Sequence, residues 1–117
     1  MKTIEAKGEY IFVEYDEPYL KSVLIEMMRE THQKSKELGC YKLLGDISKM
    51  RGSVGTMDRF EMGVRGADLF RGGYKIALVY QPEEINRFAE TVSVNRGLNA
   101  RIFGDKKDAL EWLLTKD

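Results

Sequence analysis

Between residues 45 and 63 the chain reads GDISKMRGSVGTMDRFEMG, with four glycines, two serines and a threonine beside Arg51 and Arg59. Hydroxyls, backbone amides freed by glycine and guanidinium groups are the parts from which phosphate cradles and phosphorylation switches are made. A nucleotide-hydrolysing phosphate loop needs G-x-x-x-x-G-K-[ST]; Gly52 and Gly55 stand too close together and no lysine follows them. The dinucleotide pattern G-x-G-x-x-G is missing too. What remains is a strand-to-helix turn in which Thr56 is placed to cap a helix. Asp58 and Glu61 set negative charge in the first turn, where the helix dipole favours it. The competing use is a switch: a phosphate on Ser53 or Thr56 adds about −1.5 to −2 charge beside a helix start, near Arg51 and Arg59 and opposed by Asp58.

Elsewhere the chemistry-bearing residues are sparse. His32 is the only histidine, and its spacing implies no serine or cysteine nucleophile, so it reads as a solvated side chain. Cys40 precedes an apolar strand and reads as a small buried side chain; alone it makes no metal site. Glu83 and Glu84 sit at a helix start, where the dipole accounts for them. In INRFAETVSVNRGL, Asn86 and Glu90 lie one turn apart, as do Arg87 and Thr91, which with Asn95 offers a second polar face. Arg87 pairing with Glu83 or Glu90 is the structural reading of that face, and recognition is the other. Of the six methionines, those at 27, 28, 57 and 62 suit an adaptable apolar pocket and suit an ordinary core equally. No nucleophile–base pair, metal set or cofactor motif emerges, so the expectation is a non-enzymatic protein without cofactor or metal.

These residues need a scaffold. At 117 residues the chain is expected to be one domain, residues 1–117. A lone cysteine and an opening without a charged-then-apolar leader point to the cytoplasm, and no apolar run approaches a membrane span. Nineteen basic and nineteen acidic residues cancel, which argues against nucleic acid as a partner. The cancellation is uneven: residues 49–101 hold nine basic against six acidic groups, either a salt-bridged surface or a patch that steers an anionic partner.

Residues 2–7 and 10–15 read as antiparallel strands about a Gly8-Glu9 turn. From Pro18 to Leu38 the period changes to that of a helix, with Leu20, Val23, Leu24, Met27, Thr31 and Leu38 on one face and Gly39 as the stop. Residues 41–47 form a strand that leads into the glycine loop. After it, Met57, Phe60, Val64, Ala67 and Phe70 share a helical face that ends at Gly72-Gly73. YKIALVY (74–80) is apolar throughout, as a strand covered on both faces would be. A helix opening at Pro82 with Ile85, Phe88, Ala89 and Val92 inward, a short strand at 100–104, and a final helix capped by Asp105 complete the order β-β-α-β-α-β-α-β-α. The economical arrangement is an α/β fold: a five-stranded, mostly parallel sheet with an N-terminal antiparallel hairpin and helices on both faces.

With that order in view, GDISKMRGSVGTMDRFEMG followed by YKIALVYQPEEINRFAETVSVNRGLNARIFGDKKDALEWL resembles the SpoIIAA-like branch of the STAS superfamily, small bacterial domains related in fold to anti-sigma-factor antagonists. The likeness is strongest from Asp46 to Leu113; MDRFE and INRFAETVSVNRG are its distinctive blocks. It implies a regulatory module that binds a protein partner through the loop and helix start at 48–60, with Arg51, Ser53, Thr56, Met57, Asp58 and Arg59 as candidates. Asn86, Arg87, Glu90 and Asn95 would form a secondary polar face. In such antagonists a serine at this helix start is phosphorylated; here Ser53 is the nearest counterpart and Thr56 the next, with Gly52 behind Arg51 in place of the acidic residue. The layout is also similar to CRAL-TRIO lipid-binding domains, which implies a lipid or other apolar small molecule between helices and sheet as the alternative. Self-association as a homodimer stays open.

Overall fold

Alternation at both sides of Gly8 folds the N-terminus back on itself. The computed structural model describes residues 2–80 and 97–115. Strands β1 (Lys2–Ala6) and β2 (Ile11–Tyr15) pair antiparallel with Lys2 opposite Tyr15 and Ala6 opposite Ile11. The Lys7 amide donates to the Tyr10 carbonyl at 2.8 Å, and Gly8 takes φ 88°, which closes the turn. Then come α1 (Lys21–Leu38), β3 (Lys42–Asp46), α2 (Thr56–Phe70), β4 (Lys75–Val79), β5 (Ala100–Phe103) and α3 (Lys106–Leu114). The strands lie side by side in chain order, and every pair after the first is parallel. The helix expected from Pro82 lies outside the described residues.

Because side chains alternate along a strand, the sheet offers two apolar faces. On one, Ile11, Leu43, Ile76 and Ala100 pack with Ala67 and Phe70 of α2 and with Met28 of α1. On the other, Phe12, Leu44, Ala77 and Val79 pack with Ala109 and Leu113 of α3. This explains the unbroken apolar run of β4, which is covered from both sides. Its one charge, Lys75, is buried; the ammonium donates to the Thr115 carbonyl at 2.9 Å and lies 4.7 Å from the Trp112 ring centre. Asp105 caps α3 as expected, accepting from the Asp108 amide at 2.8 Å.

Two helix readings are corrected. Helix α1 begins at Lys21, not Pro18, because Pro18 is held extended in a bridge to Arg51 while the Tyr15 hydroxyl donates to its carbonyl. Leu20 and Leu38, expected inward, are exposed at the two ends, and Met27, Thr31 and Ser35 are the buried positions. In α2 the N-cap is Gly55 and not Thr56, with no side-chain cap bond; the Gly55 carbonyl accepts from the Arg59 amide at 2.9 Å. The buried face of α2 is Gly63, Gly66, Ala67 and Phe70, while Met57 (77% exposed) and Phe60 (39%) turn outward. Small residues thus take the buried side of α2, and Met57 and Phe60 stand on the other side, in solvent.

Candidate functional site

The glycine loop is tied down at both ends. Asp46, buried at the end of β3, accepts from the Ser48 amide (2.9 Å) and the Ser48 hydroxyl (2.6 Å). Sequence reasoning passed over Asp46, although an Asp two residues before a Ser at a strand end is itself a turn signal. Farther on, the Arg51 amide donates to the Glu17 carbonyl and the Arg51 carbonyl accepts from the Tyr19 amide at 2.8 Å, so the loop lies against the β2–α1 connection. Met50 and Val54 are buried with Tyr15, Met27 and Tyr80, and Gly52 bends the chain between them at φ 93°. The loop is a plug with a hard base.

From that base Ser53 and Thr56 stand exposed, with Met57 beside them on the first turn of α2. Arg51 turns away toward Asp16, at 3.3 Å, and Arg59 is half-buried one residue beyond Asp58. Asp58 accepts the Tyr19 hydroxyl at 2.6 Å and lies 3.9 Å from the Lys21 ammonium, so its charge is already spoken for. Burial first, and the Asp58 carboxylate second, push the Tyr19 hydroxyl well above the ordinary tyrosine range. Glu61 accepts from Lys21 at 3.0 Å and from Arg65 Nε at 2.9 Å; the Lys21 bond and then the Arg65 bond hold its carboxyl below the usual glutamate value. Arg51, Ser53, Thr56, Met57, Asp58 and Arg59 thus share one corner. The second polar face, Asn86, Arg87, Glu90 and Asn95, lies outside the described residues.

A second feature lies inside. Between the sheet and the α1–α2 pair is a cavity of about 210 Å³. Its floor includes Val13 from β2, Leu43 and Gly45 from β3, Ile76 and Leu78 from β4, and Ile102 from β5. Its roof is Met27, Met28 and Thr31 from α1 with Met62, Gly63 and Gly66 from α2. Three of the four methionines singled out in the sequence line it, whereas Met57 does not. Among the described residues no charged side chain reaches the wall. The two hydroxyls among its described wall residues are engaged elsewhere: Tyr15 donates to the Pro18 carbonyl and Thr31 to the Met27 carbonyl. Gly45 faces Leu78 across the β3–β4 pair, and the Leu78 side chain stands over it.

His32 is not solvated as expected; it is half-buried, its ring 5.6 Å from Phe70 and 6.1 Å from Tyr74, because α1 is packed over the β4 start. Cys40 is half-buried, not fully buried as expected, its thiol 3.8 Å from the Glu9 and Lys42 carbonyls. Among the described residues no three His, Cys, Asp or Glu side chains could hold a metal ion, and no helix is long and apolar enough to cross a membrane.

Sequential strand order, a leading antiparallel strand and helices on both faces give the chain a SpoIIAA-like fold. A solved structure of a DUF3478-family protein with a SpoIIAA-like fold, from Shewanella loihica PV-4, superposes with a TM-score of 0.57 at 22% identity, over 97% of this chain and 92% of that one. No family model matches the chain, and no curated protein matches it.

Proposed function

We propose that the protein is a non-enzymatic carrier or sensor that holds an apolar small molecule in the cavity between α1, α2 and the sheet. The cavity is the observation that carries this reading. At about 210 Å³ it exceeds the roughly 150 Å³ apolar cavity that takes up benzene and falls short of the roughly 300 Å³ at which drug-sized pockets begin. Among the described residues its wall has no hydroxyl left to bond a ligand, so uptake rests on transfer of apolar surface from water. Three methionines let the roof follow the ligand's outline. The ligand class is a ring with a short alkyl arm, or a branched hydrocarbon end of that size. Titration with benzene through butylbenzene, read by thermal melting and native mass spectrometry, tests it. Saturable stabilisation by at least one member is expected; a flat melting temperature across the series and an apo spectrum of freshly purified protein would overturn it.

A second reading is favoured by the loop corner. Leu20, Met57 and Phe60 are exposed apolar side chains at the starts of α1 and α2, beside the exposed hydroxyls of Ser53 and Thr56. Such a corner suits a regulatory protein contact that phosphorylation would reset. Comparing binding partners of wild type and a Ser53→Asp/Thr56→Asp variant tests it: a partner held by only one of the two supports the reading, and identical sets rule it out.

A further inference from the structure

Resting on the cavity reading, we infer that Gly66 is a size-determining residue for the ligand. The other glycines whose surroundings are defined within a turn, strand or cap have structural reasons to be glycine. Gly8, Gly39, Gly52, Gly72, Gly73 and Gly97 have positive φ, where a side chain is strained. At Gly45 a Cβ would stand 2.8 Å from Leu78 Cδ2, so the Leu78 side chain would have to move. Gly55 is the α2 N-cap, a position that favours glycine.

Gly66 has neither reason. It sits in the interior of α2 with an ordinary helical backbone, where glycine is among the least favourable residues and alanine the best. An added Cβ would meet Met28 Cε at 3.6 Å and Leu98 Cδ2 at 3.8 Å, both ordinary contact distances. Alanine would therefore fit and strengthen the helix. What it would remove is space, because Gly66, Met28 and Leu98 all line the cavity. A position that breaks the local helix rule without a packing reason is where a functional demand is expected. The missing methyl keeps the roof high between Met28 and Leu98 and so admits a wider ligand than the fold requires.

The experiment compares wild type, Gly66→Ala and Gly66→Ala/Met28→Ala against benzene, ethylbenzene, propylbenzene and butylbenzene by isothermal titration, with melting temperatures of the free proteins. The expected result is a Gly66→Ala melting temperature equal to or above wild type, benzene affinity unchanged, and affinity for the widest ligand that wild type accepts about tenfold weaker. The Met28→Ala change should restore that ligand by returning the space. Equal affinities for the whole series in wild type and Gly66→Ala would overturn the inference while leaving the cavity reading intact. A lowered melting temperature would also overturn it, since glycine would then be needed for packing. Wild type that binds no member of the series removes the cavity reading and this inference with it.

Discussion

The Tyr19 hydroxyl donates to Asp58 at 2.6 Å and so ties the approach to α1 to the first turn of α2, across 39 residues of chain. A Tyr19→Phe/Asp58→Asn double-mutant cycle in urea unfolding should give a coupling of about 1 kcal/mol. The tie also has a pH signature. The folded-state pKa of Tyr19 is raised above its ordinary 10.0, so the stability it contributes is fully present below about pH 10 and is lost as pH rises from there through the folded value. Tyr19→Phe should therefore show a flatter alkaline limb than wild type; parallel limbs would refute the assignment.

Glu61 supplies the opposite limb. Its folded pKa lies below the ordinary 4.5, so its contribution is present above about pH 4.5 and is lost as pH falls through the lowered value. The difference in urea midpoint between wild type and Glu61→Gln should be constant at neutral pH and shrink toward pH 3. Because Lys21 and Glu61 keep 42% and 33% of their side-chain surface in solvent, raising salt should shrink the same difference at pH 7.

Asp46 holds the loop base through two bonds to Ser48 while being only 8% exposed. Asp46→Ala should cost about 2 kcal/mol in chemical denaturation and speed amide hydrogen exchange over residues 47–54. Exchange unchanged in that segment would mean that Met50 and Val54 hold the loop without it.

Gly45 and Leu78 form a steric pair. Gly45→Ala should destabilise by about 1 to 3 kcal/mol, since the new methyl would stand 2.8 Å from Leu78 Cδ2. Adding Leu78→Ala should cost less in that background than in wild type, because it relieves the clash. Strict additivity of the two changes would contradict the contact.

Much of this architecture is legible in the chain. Period-2 strands about Gly8, the continuous apolar run of β4 and the Asp105 cap state their roles locally, and the structure places them so. Helix faces were harder to read. Phe60 is as apolar as any core residue, yet it points outward, because the buried side of α2 carries Gly63, Gly66, Ala67 and Phe70, and its small residues weigh little in a hydropathy pattern. Thr56 lost the cap to its neighbour for a similar reason, since glycine and threonine serve almost equally there. Hydroxyls at the loop were visible as candidates, but the ties of Tyr19, Arg51 and Asp58 join segments far apart in sequence and leave no local trace. The cavity was foreshadowed by its methionines and by the layout shared with lipid-binding domains; the glycines of its wall gave no such signal.

Sequential strand order has a consequence for synthesis. Each strand pairs with the one made just before it, so the sheet can grow in step with the emerging chain. Ile76 and Leu78 on β4 appear before Ala100 and Ile102 of β5, which stand on the same face of the finished sheet. The apolar chamber therefore gains its last strand only when residues 100–103 emerge. Until then a nascent chain carries it as an open apolar trough.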